Sequence, residues 1–254
     1  MSKRVSILNV PFDNLSKKEA LDRVEHFIHL NTIHRSVYPA NTDTLIKADE
    51  DEAFKKILQE GDMILADGSP VVWASRYLRN PLKQKVSGST LFYRLCRLSA
   101  EKGYRIFLLG SGPGVAEKAK NKLTKKYPKL NITGTYSPSY PFMDNKDELK
   151  HVIKLLKKSK SHILFVGLGN PKQEQFIARY KDDYEIPVSI SIGGTLNFVA
   201  GKKIMPPEWI KDLGFAWFFR LIQEPKRLWR RYMVEDTRIV SLIRNEKKKN
   251  KQSK

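Results

Sequence analysis

Short apolar runs alternate with amphipathic helical stretches along most of this chain, and that alternation limits the fold more than any other feature. Arg105–Leu109, Ile163–Val166 and Val188–Ile192 read as buried strands, as does Met63–Ala66. Val5–Val10 reads as a further strand, Ser36–Ala40 as a weak one and Asn131–Thr133 as a short one. Between them, Ser16–Leu30, Ser89–Lys102, Gly114–Lys126, Asp147–Lys158 and Lys172–Tyr180 carry helical spacing, and helical sequence runs on from the second strand through Gln59. Ser16 followed by Glu19 is a capping-box start. Strands alternating with helices predict an α/β fold: a Rossmann-like, mostly parallel sheet with helices on both faces. The loop from Tyr136 to Asp147, with Pro138 and Pro141, reads as a mobile or surface loop.

The 254 residues suit one large α/β domain, or one domain plus an appendage. The expected division is an α/β catalytic domain over 1–201, a helical appendage over 202–245 and a disordered basic tail over 246–254. From Lys202 onward there are 15 Lys/Arg against 6 Asp/Glu, interleaved with Trp209, Phe215, Trp217, Phe218, Phe219, Trp229 and Tyr232. Pro225 divides this stretch into two helical pieces. Such a basic, aromatic segment reads as an interfacial element lying on anionic lipid; an ordinary packed helix with a solvated basic face is the plainer reading. The whole chain carries a formal charge of +20, which predicts a polyanionic partner. No run of about 18 apolar residues could span a bilayer, and no secretory signal is visible. The single cysteine, Cys96, sits in an apolar helical pattern, consistent with a reducing cytoplasm.

Ligands of open parallel sheets bind outside the carboxyl ends of the strands. There this chain places Asn41 and Asp43, Asp67-Gly68, Gly110–Gly114, Gly167–Glu174 and Gly193-Gly194-Thr195. Glycine turns before helices admit close backbone approach and favour phosphate. Asp67, at the exit of a buried strand, is a candidate general base; the competing reading is a turn residue or the N-cap of the next helix. Lys172, Gln173 and Glu174 can equally be the solvated first turn of a helix. The glycine run at 110–114 lacks the spacing of a dinucleotide fingerprint, which argues against a nicotinamide enzyme. There is no Gly-x-Ser-x-Gly elbow, P-loop or zinc-ligand spacing, and no Asp-x-Asp pair among these strand-end residues, so metal dependence is disfavoured. A nucleic-acid-binding protein is the alternative of another class, supported by charge alone.

Pro39-Ala40-Asn41-Thr42-Asp43, Ala66-Asp67-Gly68, Val86-Ser87-Gly88-Ser89, Phe107-Leu108-Leu109-Gly110, Gly167–Glu174, Gly193-Gly194 and Pro206–Tyr232 together resemble, in order, the WecG/TagA/CpsF family of bacterial glycosyltransferases. The resemblance implies inverting, metal-independent transfer of an N-acetylmannosamine-type sugar from a UDP donor to undecaprenyl-diphosphate-linked N-acetylglucosamine. It places the protein on the inner face of the cell membrane, in teichoic acid or surface polysaccharide synthesis. UDP-N-acetylmannosaminuronic acid and UDP-glucose are alternative donors. By the same resemblance Asp67 is the base, with Gln173 and Asn41 beside it in the active site. Lys85, Asp43, Gly110, Gly169, Lys172, Gly194, Arg220, Arg227 and Arg230 are expected to bind substrate, the three arginines from an appendage that closes over the diphosphate. Pro39 stands where wall teichoic acid members have threonine, and Lys85 where arginine is usual; lysine keeps the charge and loses the bidentate fork. Self-association through the appendage's apolar face is a further expectation.

Overall fold

A computed structural model describes residues 4–30, 34–139, 141–207, 210, 216–230 and 236–252. The chain opens with an antiparallel hairpin, β1 (Arg4–Ile7) and β2 (Val10–Asp13). The central sheet has six parallel strands: β3 (Arg35–Ala40), β4 (Met63–Ala66), β5 (Arg105–Gly110), β6 (Asn131–Tyr136), β7 (Ile163–Gly167) and β8 (Val188–Ser191). Their spatial order is β4-β3-β8-β7-β5-β6. The chain steps outward from β3 to β4, then outward the opposite way from β5 to β6, and β7 and β8 fill the gap. Reversals of this kind open a crevice at the carboxyl ends of the central strands.

Side chains alternate along each strand, so the two faces of the sheet collect separate cores. Val37, Met63, Leu65, Ile106, Leu108 and Phe165 pack against α1 (Lys17–Leu30), α5 (Gly88–Lys102), α6 (Val115–Lys126) and α9 (Thr195–Val199). Tyr38, Ile64, Phe107, Leu109 and Leu164 face the hairpin, α2 (Thr42–Glu50), α3 (Glu52–Gln59), α4 (Ser69–Tyr77), α7 (Lys146–Ser159) and α8 (Lys172–Tyr184). Burial on both faces explains why the strands read as continuous apolar runs. Cys96 lies buried in α5, and burial pushes its thiol well above the usual range. The capping box at α1 forms as read: Glu19 N–H donates to Ser16 Oγ at 3.1 Å and Ser16 N–H to the Glu19 carboxylate at 2.6 Å.

Several sequence expectations are corrected. Val5–Val10 is not one strand, because Leu8 and Asn9 both take positive φ (50° and 62°) and turn the chain back on itself. Two successive positive-φ residues make the tight turn whose twist suits a hairpin. Ser36–Ala40 is not weak; as β3 it is central, paired with both β4 and β8. The helix expected through Gln59 breaks at Asp51, whose backbone is extended and whose side chain caps α3 by accepting from Phe54 N–H at 3.0 Å. Helix α4 follows Asp67, as the cap reading supposed, but its N-cap is Gly68. The 136–147 loop lies at the surface as read, with Ser139, Pro141 and Asp144 exposed; Glu148 accepts from Tyr136 Oη at 3.2 Å and Ser139 N–H at 2.8 Å, and Phe142 is buried.

Beyond the sheet, α10 (Ala216–Gln223) and α11 (Pro225–Arg230) are separated at Pro225 as expected, with the proline in the first helical turn where its missing N–H costs nothing. The disordered tail expected over 246–254 is corrected: α12 (Arg238–Gln252) is helical through Gln252, and residues 253–254 lie outside the described residues. Its anchor is a stripe at helical spacing. Ile239 and Ile243 pack on the core, and Glu246 accepts the Leu8 backbone N–H at 3.1 Å. Arg238 pairs with Glu50, and Lys247 Nζ sits 3.5 Å over the Tyr77 ring.

Candidate active site

The carboxyl edge of the sheet assembles the residues that the sequence placed at strand ends. From β4 to β5 the edge presents Asp67, Asn41, Gly193, Gly167 and Gly110 on five adjacent strands. Four inter-strand gaps make roughly 19 Å, long enough for a sugar nucleotide laid across the strand ends.

Asp67 follows β4, held there by its own N–H donating to Ala40 O at 2.9 Å. The N-cap of α4 is Gly68, so Asp67 is not a cap of the helix that follows. Its carboxylate turns instead toward the start of α5, where Gly88 N–H donates to Oδ2 at 3.4 Å. It is half-buried and lies at the positive end of the α5 dipole. Lys85 is set one residue before Val86, whose N–H donates to Ala66 O at 2.9 Å; this brings the 82–86 segment alongside the end of β4.

Asn41 caps α2 by accepting from Thr44 N–H at 3.1 Å, while Thr44 Oγ1 accepts from Asn41 N–H at 3.3 Å. Such a cap contributes about 1 kcal/mol. Asp43, in the first turn of α2, pairs with Lys47 at 3.1 Å and accepts from Asn170 Nδ2 at 3.3 Å. Asn170 Nδ2 also donates to Thr44 Oγ1 at 2.8 Å, and Lys47 Nζ to Asn170 O at 3.1 Å. These bonds strap α2 to the turn between β7 and α8, which contains a cis Asn170–Pro171 bond. Asn170 and Thr44 were not singled out from the sequence; their part depends on a contact between distant segments.

The glycine turns meet closely. Gly110 has φ +112°, and a Cβ there would lie 2.5 Å from Gly167 O. Ser111 N–H donates to that same oxygen at 2.9 Å. Gly169 and Lys172 are half-buried around the start of α8, and Gly194 is exposed at the start of α9. Arg220, Arg227 and Arg230 fall on α10 and α11, with side chains outside the described residues.

The reading of Gln173 and Glu174 as a solvated first turn is corrected for both: Gln173 is 5% exposed and Glu174 1%. Gln173 Oε1 accepts from Gly193 N–H at 3.0 Å, and its Nε2 donates to Glu174 Oε1 at 2.8 Å. Burial raises the Glu174 carboxyl to about 7, against weaker lowering by Gln173, its own backbone, Ser191 and Lys47. Among the described residues no group of three or more His, Cys, Asp or Glu side chains could hold a metal ion.

A glycine-lined edge with the half-buried Asp67 carboxylate at one end suits transfer chemistry on an extended phosphate-containing ligand. Residues 5–253 match the model of the glycosyl transferase WecG/TagA/CpsF family. This chain belongs to that family. Among curated relatives it is similar to the N-acetylglucosaminyldiphosphoundecaprenol N-acetyl-β-D-mannosaminyltransferases of Staphylococcus aureus strains MW2 and MRSA252. Each is 29% identical over 228 residues, which cover 89% of this chain and 87% of the relative. Membership makes the protein a glycosyltransferase and accounts for the α/β fold over nearly the whole chain.

Proposed function

We propose that this WecG/TagA/CpsF member transfers N-acetylmannosamine from UDP-N-acetylmannosamine to undecaprenyl-diphosphate-linked N-acetylglucosamine, without a metal ion. The observation that carries the reading is the position of Asp67: a carboxylate at the ligand edge of the sheet, at one end of a row of glycine turns. The name shared by the relatives supports the donor sugar and the acceptor. Asp67 takes the proton of the acceptor hydroxyl as that oxygen attacks the anomeric carbon. The bond to the UDP oxygen breaks, and the diphosphate carries the negative charge away. Lys85, the strand-end amides and the arginines Arg220, Arg227 and Arg230 are the groups that stabilise this charge in place of a metal.

Incubated with this donor and a short-chain lipid-diphosphate N-acetylglucosamine in EDTA, the protein is expected to release UDP only when the acceptor is present. Release that depends on added divalent cation would remove the metal-independent mechanism. If UDP-N-acetylmannosaminuronic acid or UDP-glucose turned over instead, the donor assignment would be wrong and the reaction class would stand.

The acceptor's polyprenyl tail requires work at a membrane surface. No helix among the described residues is long and apolar enough to cross a membrane. On α10 and α11, Leu221 and Leu228 are buried, whereas Trp217, Phe218, Ile222 and Trp229 are exposed. Exposed aromatics in a strongly basic segment fit an interfacial helix on anionic lipid. The full chain is expected to sediment with vesicles containing phosphatidylglycerol at low salt, and a Trp217→Ser/Phe218→Ser/Ile222→Ser variant to remain largely in the supernatant. Equal sedimentation of the two proteins would dismiss this face as the contact.

A further inference from the structure

We propose that Glu174 is a positioning residue: it holds the Gln173 carboxamide so that its oxygen takes the Gly193 amide and fixes the turn between β8 and α9 at the crevice. This rests on the glycosyltransferase reading of the crevice and adds a residue with a role of its own.

The chain Glu174–Gln173–Gly193 is continuous and short, with bonds of 2.8 and 3.0 Å. A free glutamine carboxamide can rotate, presenting either its oxygen or its nitrogen to a partner. The nitrogen cannot accept the Gly193 N–H. Ionised, Glu174 can only accept, so it pairs with the nitrogen and selects the rotamer in which the oxygen faces Gly193. The β8–α9 turn needs such a tie. Gly193 has φ +51°, and its carbonyl oxygen packs so closely under the sheet edge that a Cβ on Gly167 would meet it at 2.9 Å. A small movement of the turn therefore changes the floor of the crevice.

Glu174 is also an unusual residue to bury for packing alone. Its Oε2 is buried, and Ser191 Oγ at the end of β8 lies close enough to lower the carboxyl but outside ordinary hydrogen-bond geometry. The charged or titratable groups that act on it are Lys47 from α2 and Tyr38 from β3. A carboxylate kept in such surroundings makes a charge-assisted bond to Gln173, stronger than a neutral acceptor would make.

Two readouts test this. Glu174→Ala is expected to speed hydrogen exchange of the amides in a peptide spanning residues 192–199, and to lower kcat roughly ten- to a hundredfold through a misplaced turn. Glu174→Gln, which keeps an acceptor oxygen, is expected to recover part of both effects. In a Gln173→Ala background, Glu174→Ala should cost almost nothing further in kcat, because the residue acts through Gln173. A merely structural glutamate would give additive losses. Additive losses, or unchanged exchange at 192–199 in Glu174→Ala, would overturn the proposal. The exchange measurement uses no sugar nucleotide, so it decides the positioning role even if another donor proves correct.

Discussion

Asp67→Asn is expected to lower turnover by about two to four decades while leaving the fold intact. The substitution is nearly isosteric, and an asparagine oxygen still accepts the Gly88 N–H that the Asp67 carboxylate takes at 3.4 Å. Asp67 is half-buried at the rim of the sheet, not in either core, so no apolar packing is lost. What disappears is the carboxylate's charge and basicity, which the proposed mechanism needs to take the acceptor's proton. The expected pattern is a large fall in kcat, a thermal midpoint within a few degrees of the parent, and UDP affinity little changed. UDP release at the parental rate would refute the base assignment. A parallel collapse of the midpoint would instead make Asp67 a structural tie between β4 and α5.

The ligand edge was legible because each parallel strand ends abruptly. Val166 gives way to Gly167, Leu109 to Gly110, and Ala66 to Asp67, and a run buried on both faces has no polar residue to blur that boundary. Three things were not legible, for different reasons. The hairpin turn at Leu8–Asn9 carries no glycine, and Asn9 beside a leucine is only a weak local sign of positive φ. Helix α12 does carry a readable stripe in Ile239, Ile243 and Glu246, but its lysine-rich composition outweighed that pattern. The burial of Gln173 and Glu174 has no local cause at all. In the first turn of α8 they look solvated, and only the packing of that turn against the ends of the central strands removes them from water. The distinction is between information held in neighbouring residues and information held in contacts between distant ones. For that reason the sequence pointed to the crevice and to Asp67, yet left the Glu174–Gln173–Gly193 chain and the Asn170 strap to the structure.

Burial of Glu174 has a consequence for stability that a pH series exposes. Its carboxyl is raised from 4.5 to about 7 in the folded protein, with desolvation as the dominant cause. Between those values the folded chain holds a proton that the unfolded chain has released. Stability must then fall as pH rises through that window. The penalty is absent below about pH 4.5, grows up to about 7 and is constant above it. Its full size is on the order of 3 kcal/mol. Glu174→Gln has no charge to desolvate. Its amide can also donate to Ser191 Oγ, the hydroxyl that lies beside the carboxyl in the parent. The variant is therefore expected to be more stable than the parent at pH 8, with the difference shrinking steadily toward pH 5. Urea denaturation of both proteins at several pH values measures this directly, because every other titrating group cancels in the difference. A gap that did not vary with pH would mean that the carboxyl titrates in its ordinary range and that desolvation at this site is small. A gap that narrows on acidification would mean that the chain retains a destabilising carboxylate at the floor of its ligand crevice. Retention at that cost fits a stronger grip on Gln173, and through it on the Gly193 turn, than a neutral side chain supplies.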